Sequence, residues 1–180
     1  MNKFAIIKHI ASYDKVEYYS VCLEEDKDTS LFELFIQKHT IENKSKLDHI
    51  LQWIKVIGEK YGAKDFFFRN EAETADTTAL PPKGTHREPT YVEFNEETET
   101  YENTQNNLRL YCFRANEHVV FLFNGDIKTT QKAQNCKNVK KHFKMANILT
   151  SVIDKSFGEG ISWNEDTTDI IVEDDFELTW

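Results

Sequence analysis

Apolar positions along the chain alternate between the two-residue period of strands and the three- to four-residue period of helices, and the changes of period mark out the elements. Val16–Leu23 is aromatic and β-branched and predicts a strand. The apolar run Phe4–Ile10 is expected to pair with it through a turn around Ser12–Asp14. Ser30 and Glu33 stand in capping-box spacing ahead of Leu31, Leu34 and Phe35, so a short helix begins there. A longer helix follows from about Glu42 to Tyr61, with Leu47, Ile50, Leu51, Ile54, Ile57 and Tyr61 forming one apolar stripe and Gly62 ending it.

Asp65–Arg69 is a strand candidate, and the polar stretch with Pro81, Pro82 and Gly84 predicts an exposed loop. Thr90–Phe94 suits a short strand, and Asn95–Asn107 a long polar excursion. Leu108–Arg114 and His118–Phe123 read as a hairpin turning at Ala115–Asn116–Glu117. Leu108, Leu110 and Cys112 point one way along its first arm, and Tyr111 and Phe113 the other. Both faces are apolar, which places the pair near the middle of a sheet. A closing helix from about Lys137 to Ser156 carries the stripe Val139, Phe143, Ala146, Leu149, Ile153 and Phe157. Beyond Gly158–Gly160, Asp169–Val172 is one more strand candidate.

Composition adds bounds. At 180 residues the chain fits one domain with a real core, and 39% apolar and 13% aromatic residues exclude a disordered composition. No apolar run approaches the ~20 residues of a membrane span, and no signal-peptide pattern opens the chain. Cys22, Cys112 and Cys136 are odd in number and widely spaced, as in a reducing compartment. The expectation is a cytoplasmic protein with no membrane association.

Charge is unevenly distributed. The formal net charge is −9, yet residues 106–150 carry eight Lys/Arg against Glu117 and Asp126. Eight acids and no Lys or Arg lie from Glu159 to Trp180, and nine acids against Lys83 and Arg87 from Glu71 to Asn103. The organisation expected is therefore one domain over residues 1–158 with an acidic insertion at about 71–106, then an acidic C-terminal tail over 159–180.

The cationic segment holds the candidate chemistry. Arg109 sits in a strand that otherwise reads as interior, so its guanidinium must be paired or must reach a cleft. Tyr111 shares its face, and Lys128, Gln131 and Lys132 follow the second strand. Cations that hold phosphates and an aromatic that stacks bases suit a phosphodiester backbone. Lys137, Lys140, Lys141 and Lys144 fall at helical spacing opposite the apolar stripe, which is most often the pattern of a solvated face. The histidines are scattered without metal-ligand spacing, and there is no Cys-x-x-Cys, phosphate loop or nucleophile elbow.

The run from Leu108 to Ala146, with Arg109 and Tyr111 on the first strand, Val119–Phe123 on the second, Asn124–Gly125, then Ile127–Lys132 and a helix, resembles the C-terminal half of RelE/ParE-superfamily toxins in their HigB-like, phage-derived branch. The resemblance covers about 40 residues well, and upstream only the order of elements. It implies an α+β fold: a small curved, mostly antiparallel sheet of four to five strands, with two N-terminal helices and a C-terminal helix packed on it. It also implies ribosome-dependent cleavage of mRNA without metal or cofactor. Arg109, Tyr111, Lys128 and Gln131 would then be catalytic, and Arg114, Lys132, Lys137, Lys140 and Lys141 would bind RNA. An antitoxin, or the acidic tail in its place, would cover the basic surface. The alternative is a non-catalytic protein-interaction module on the same fold.

Overall fold

The computed structural model describes residues 1–71 and 76–180. β1 (Phe4–Ser12) and β2 (Glu17–Leu23) form an antiparallel hairpin, followed by α1 (Leu31–Glu42) and α2 (Lys44–Val56). The Ser30 hydroxyl accepts from the Glu33 N–H while the Glu33 carboxylate accepts from the Ser30 N–H, so α1 begins at its capping box. The long second helix expected over about 42–61 is continuous, but its last turn widens. A π-turn over Ile57–Tyr61 continues α2, and Gly62 closes it at φ 75°. Gly58 in that turn is packed against Tyr13, where a Cβ would lie 2.6 Å from the ring.

The remaining strands are β3 (Arg69–Asn70), β4 (Thr77–Leu80), β5 (Val92–Asn95), β6 (Thr100–Asn103), β7 (Leu108–Arg114), β8 (Val119–Ile127), β9 (Ile161–Trp163), β10 (Ile170–Val172) and β11 (Leu178–Thr179), with α3 (Lys140–Ser156) between β8 and β9. The expected sheet of four to five strands with helices on it is wrong. The main sheet has seven strands in the order β11-β1-β2-β8-β7-β4-β3, and β5-β6 and β9-β10 form two further two-stranded sheets. It is mixed, because β2 runs parallel to β8 while the other neighbours are antiparallel.

Helices cover both faces. Alternate side chains of β8 divide between two cores, as the strand period requires. Val120 and Leu122 join Phe35, Ile50 and Trp53 of α1 and α2, whereas Val119, Phe121 and Phe123 join Phe143, Ala146 and Leu149 of α3. Leu108, Leu110 and Cys112 lie with the first group, Tyr111 and Phe113 with the second. A central hairpin apolar on both faces was legible, and the structure places it between two helical layers.

Two stretches thought peripheral are built into this sheet. β4, in the acidic segment, is buried at all four residues and pairs with β7, and Pro81 and Pro82 after it are buried rather than in an exposed loop. The tail adds β11 to the far edge beside β1 and buries Ile161, Ile170 and Leu178 in the α3 core. Asp65–Phe67 is a short 3₁₀ turn, so the strand expected over 65–69 is reduced to β3. β8 runs straight through Asn124–Gly125, beyond Phe123 where the second arm of the hairpin was expected to end, with a bulge in its pairing to β7. Among the described residues no helix is long and apolar enough to cross a membrane.

Candidate functional site

A polar cavity of about 320 Å³ opens at the β3-β4-β7 side of the sheet, lined by Arg69, Asn70, Glu71, Lys83, Arg109, Lys128, Thr130 and Gln131. Each comes from the end of a strand or just past one. Arg69 and Asn70 form β3, Glu71 follows it, Lys83 follows β4, Arg109 lies in β7, and Lys128, Thr130 and Gln131 follow β8. Convergence of four strand ends gives the site a rigid base and a loop rim.

Glu71 is its centre. Its side chain is only 3% exposed, with Oε2 2.6 Å from Lys128 Nζ and Oε1 3.3 Å from Arg109 Nε. The Lys128 ammonium donates a hydrogen bond to it, whereas Arg109 Nε is close enough for an ion pair but poorly aligned. Arg109 Nη1 donates to the Asn106 and Leu108 carbonyls at 2.7 and 3.2 Å, leaving Nε without a hydrogen-bond partner among the described residues. Arg69 Nε donates to the Pro81 carbonyl at 2.7 Å, and its other edge approaches the Pro82 carbonyl at 3.4 Å. Burial, then the nearby Arg109 charge, bring the Arg69 guanidinium down to about 10, against the pull of Glu71. Burial likewise lowers Arg109, with Glu71 opposing. Among the described residues three cations out of bulk solvent thus face one carboxylate, and Lys83 stands exposed at the rim. The excess positive charge suits an anion.

Of the residues singled out in the sequence, the structure brings Arg109, Lys128 and Gln131 together in this cavity. It does not bring Tyr111. That ring is wholly buried against Phe143, with centroids 5.5 Å apart, and its hydroxyl has no hydrogen-bond partner among the described residues. A buried ring offers no face to a base, so the stacking role is corrected. Burial raises its phenol, which stays protonated. Arg114 lies at the other end of β7, where Nε donates to the Ala63 carbonyl. Lys132, Lys137, Lys140 and Lys141 are exposed and make no ion pair among the described residues. The tail does not cover the cationic surface. β11 is at the opposite sheet edge, and Phe176 to Trp180 lie by Val152 and Lys155 near the far end of α3.

Arg69, Glu71, Lys83 and Thr130 were missed. Arg69 and Glu71 stand two apart at the end of an apolar run, the spacing that places two side chains on one side of a strand. Read as a pair rather than as a strand end and an acidic insertion, they were the available signal.

Beneath the rim loop, Cys136 Sγ is out of solvent and receives the Thr129 N–H at 3.3 Å. Burial pushes this thiol up, but the Thr129 hydroxyl and N–H and the N–H groups of Val139 and Asn138 outweigh it and bring it down to about 6. Among the described residues no three His, Cys, Asp or Glu side chains cluster as metal ligands. No family model matches the chain, and no curated protein or solved structure matches it either.

Proposed function

We propose that the cavity binds the phosphate of an RNA strand and that the protein is a metal-independent endoribonuclease of the toxin type, acting on mRNA at the ribosome. The observation that supports this is the meeting of Arg69, Arg109 and Lys128 around the buried carboxylate of Glu71 in a cavity open at its rim. The resemblance of Leu108–Ala146 to RelE/ParE toxins supports the same reading, although the expected toxin-like sheet does not stand.

In this reading the arginines hold the non-bridging phosphate oxygens and oppose the charge that builds on them. Glu71 takes the proton of the 2′-hydroxyl as that oxygen attacks phosphorus, and Lys128 gives a proton to the departing 5′-oxygen. The products are a 2′,3′-cyclic phosphate and a 5′-hydroxyl. The 2.6 Å contact between Glu71 and Lys128 then lets the gained proton return to the lysine, restoring both groups.

The test incubates the full chain with free mRNA in the presence of EDTA, and with mRNA on translating ribosomes in the magnesium buffer that keeps them assembled. Cleavage leaving a cyclic phosphate, blocked by a 2′-O-methyl group and lost in Glu71→Gln and Arg109→Ala, is the expected result. Phosphate binding without cleavage in either setting would reject it and leave a non-catalytic anion-binding module. The net charge of −9, which repels a long polyanion, favours that second reading.

A further inference from the structure

β5 and β6 form a hairpin apart from the main sheet, and neither strand pairs with any other strand among the described residues. Its register separates two faces. Val92 and Phe94 of β5 share a face with Tyr101, which stands opposite Phe94, and the other face sets Glu93 directly opposite Glu102. The apolar face is open to solvent, with Val92 47%, Phe94 51% and Tyr101 75% exposed. From Val92 to Asn103 there are five Glu and no Lys, Arg or His. The tip residue Glu99 even adopts a left-handed conformation at φ 54°, a place where glycine or asparagine would be at ease.

Taken alone, this is poor construction for a free hairpin. Two strands are marginal in water, like charges opposite one another repel, and exposed aromatic rings stay unburied. Each oddity becomes favourable if a third strand of complementary chemistry is added. We propose that the β5-β6 hairpin is a docking edge for an extended, basic polypeptide segment in which apolar residues and Lys/Arg alternate. Pairing with a free edge places every second side chain on the Phe94/Tyr101 face and the intervening cations beside Glu93 and Glu102. A second copy of this chain brings five more glutamates to the same place, and nucleic acid or an anionic membrane is repelled in the same way. Charge complementarity therefore selects a cationic partner, and the exposed rings select one with apolar side chains.

The experiment titrates the full-length protein with a synthetic peptide in which Lys and Val alternate, by calorimetry at low and high salt. Phe94→Ser/Tyr101→Ser and Glu93→Gln/Glu102→Gln change exposed positions only, and circular dichroism checks that each variant is folded. Each double variant is expected to weaken binding about tenfold or more, and the glutamine variant also to flatten the salt dependence. Asp174→Asn/Asp175→Asn in the tail should leave affinity unchanged. Three results overturn the proposal: affinity that follows the tail variant and not the hairpin variants, an all-lysine peptide binding as tightly as the alternating one, or self-association of the protein that Phe94→Ser/Tyr101→Ser abolishes. The last would make a second copy the occupant.

Discussion

Gly125 is pressed onto the backbone of Arg109, so closely that a Cβ on it would stand 1.7 Å from the Arg109 carbonyl oxygen. The contact lies at the bulge between β7 and β8, where Leu110 faces Gly125 but Cys112 faces Leu122. A bulge turns the strand locally and re-aims the residues beside it. Here it helps to set an arginine from an interior strand into the cavity. Gly125→Ala cannot be absorbed by a side-chain rotation, since the obstacle is main chain. We expect it to cost about 2–4 kcal/mol in chemical denaturation and to lower phosphate affinity in whatever fraction still folds. A variant with wild-type stability would show that the two strands separate easily at this point.

Glu71 neutralises cations that would otherwise face one another, so its removal should be felt as repulsion. Glu71→Gln keeps the shape and removes the charge, and we expect a loss of about 2–4 kcal/mol. An added anion should compensate. Sulfate is expected to raise the melting temperature of Glu71→Gln more than that of the wild type, because in the variant it meets Arg69, Arg109 and Lys128 without the competing Glu71 carboxylate. Equal shifts in the two proteins would mean that the cavity does not concentrate anions.

Much of this arrangement could be read from the chain, and the parts that could not share a physical reason. α3 and the β7-β8 pair were legible because a whole face of each is apolar, and period alone reveals such elements. β4 was not, because two of its four residues are threonines and two prolines follow. Its polarity is satisfied inside, with Thr77 donating to the Thr150 hydroxyl and Thr78 to the Cys112 carbonyl. Composition cannot tell such a strand from a loop. The parallel pairing of β2 with β8 joins residues about a hundred positions apart and leaves no local trace. Arg69 and Glu71 were overlooked for a related reason. They flank a point where an apolar run gives way to acidic sequence, and an element boundary was the nearer explanation.

Tyr111 distinguishes a catalytic hydroxyl from a structural ring. Its phenol is buried without a hydrogen-bond partner among the described residues, so deleting the oxygen removes a desolvated polar atom and no bond to any of them. Tyr111→Phe is expected to be neutral or to stabilise by up to about 1 kcal/mol, with phosphate binding and any RNA cleavage retained. A loss of cleavage at unchanged stability would return the tyrosine to the reaction.

Cys136 links the loop carrying Lys128 and Gln131 to the start of α3, and its protonation state should be visible in stability. Thr129 donates its N–H to the sulfur at 3.3 Å, and the sulfur lies 3.7 Å from the Ile127 carbonyl, so both ends of the contact reach residues flanking Lys128. The folded thiol titrates at about 6, below its ordinary value of 9.0. For an acid lowered by folding, the extra stability is complete above the unfolded value and is lost as pH falls toward the folded one. Between pH 6 and pH 9 the unfolded chain binds the additional proton, so wild-type stability should rise across that window relative to Cys136→Ser, whose hydroxyl does not titrate there. Urea midpoints of the two proteins at several values within it provide the measurement. A constant difference across the window would mean that the N–H groups around the sulfur do not hold a thiolate, and that Cys136 fastens the loop by packing alone.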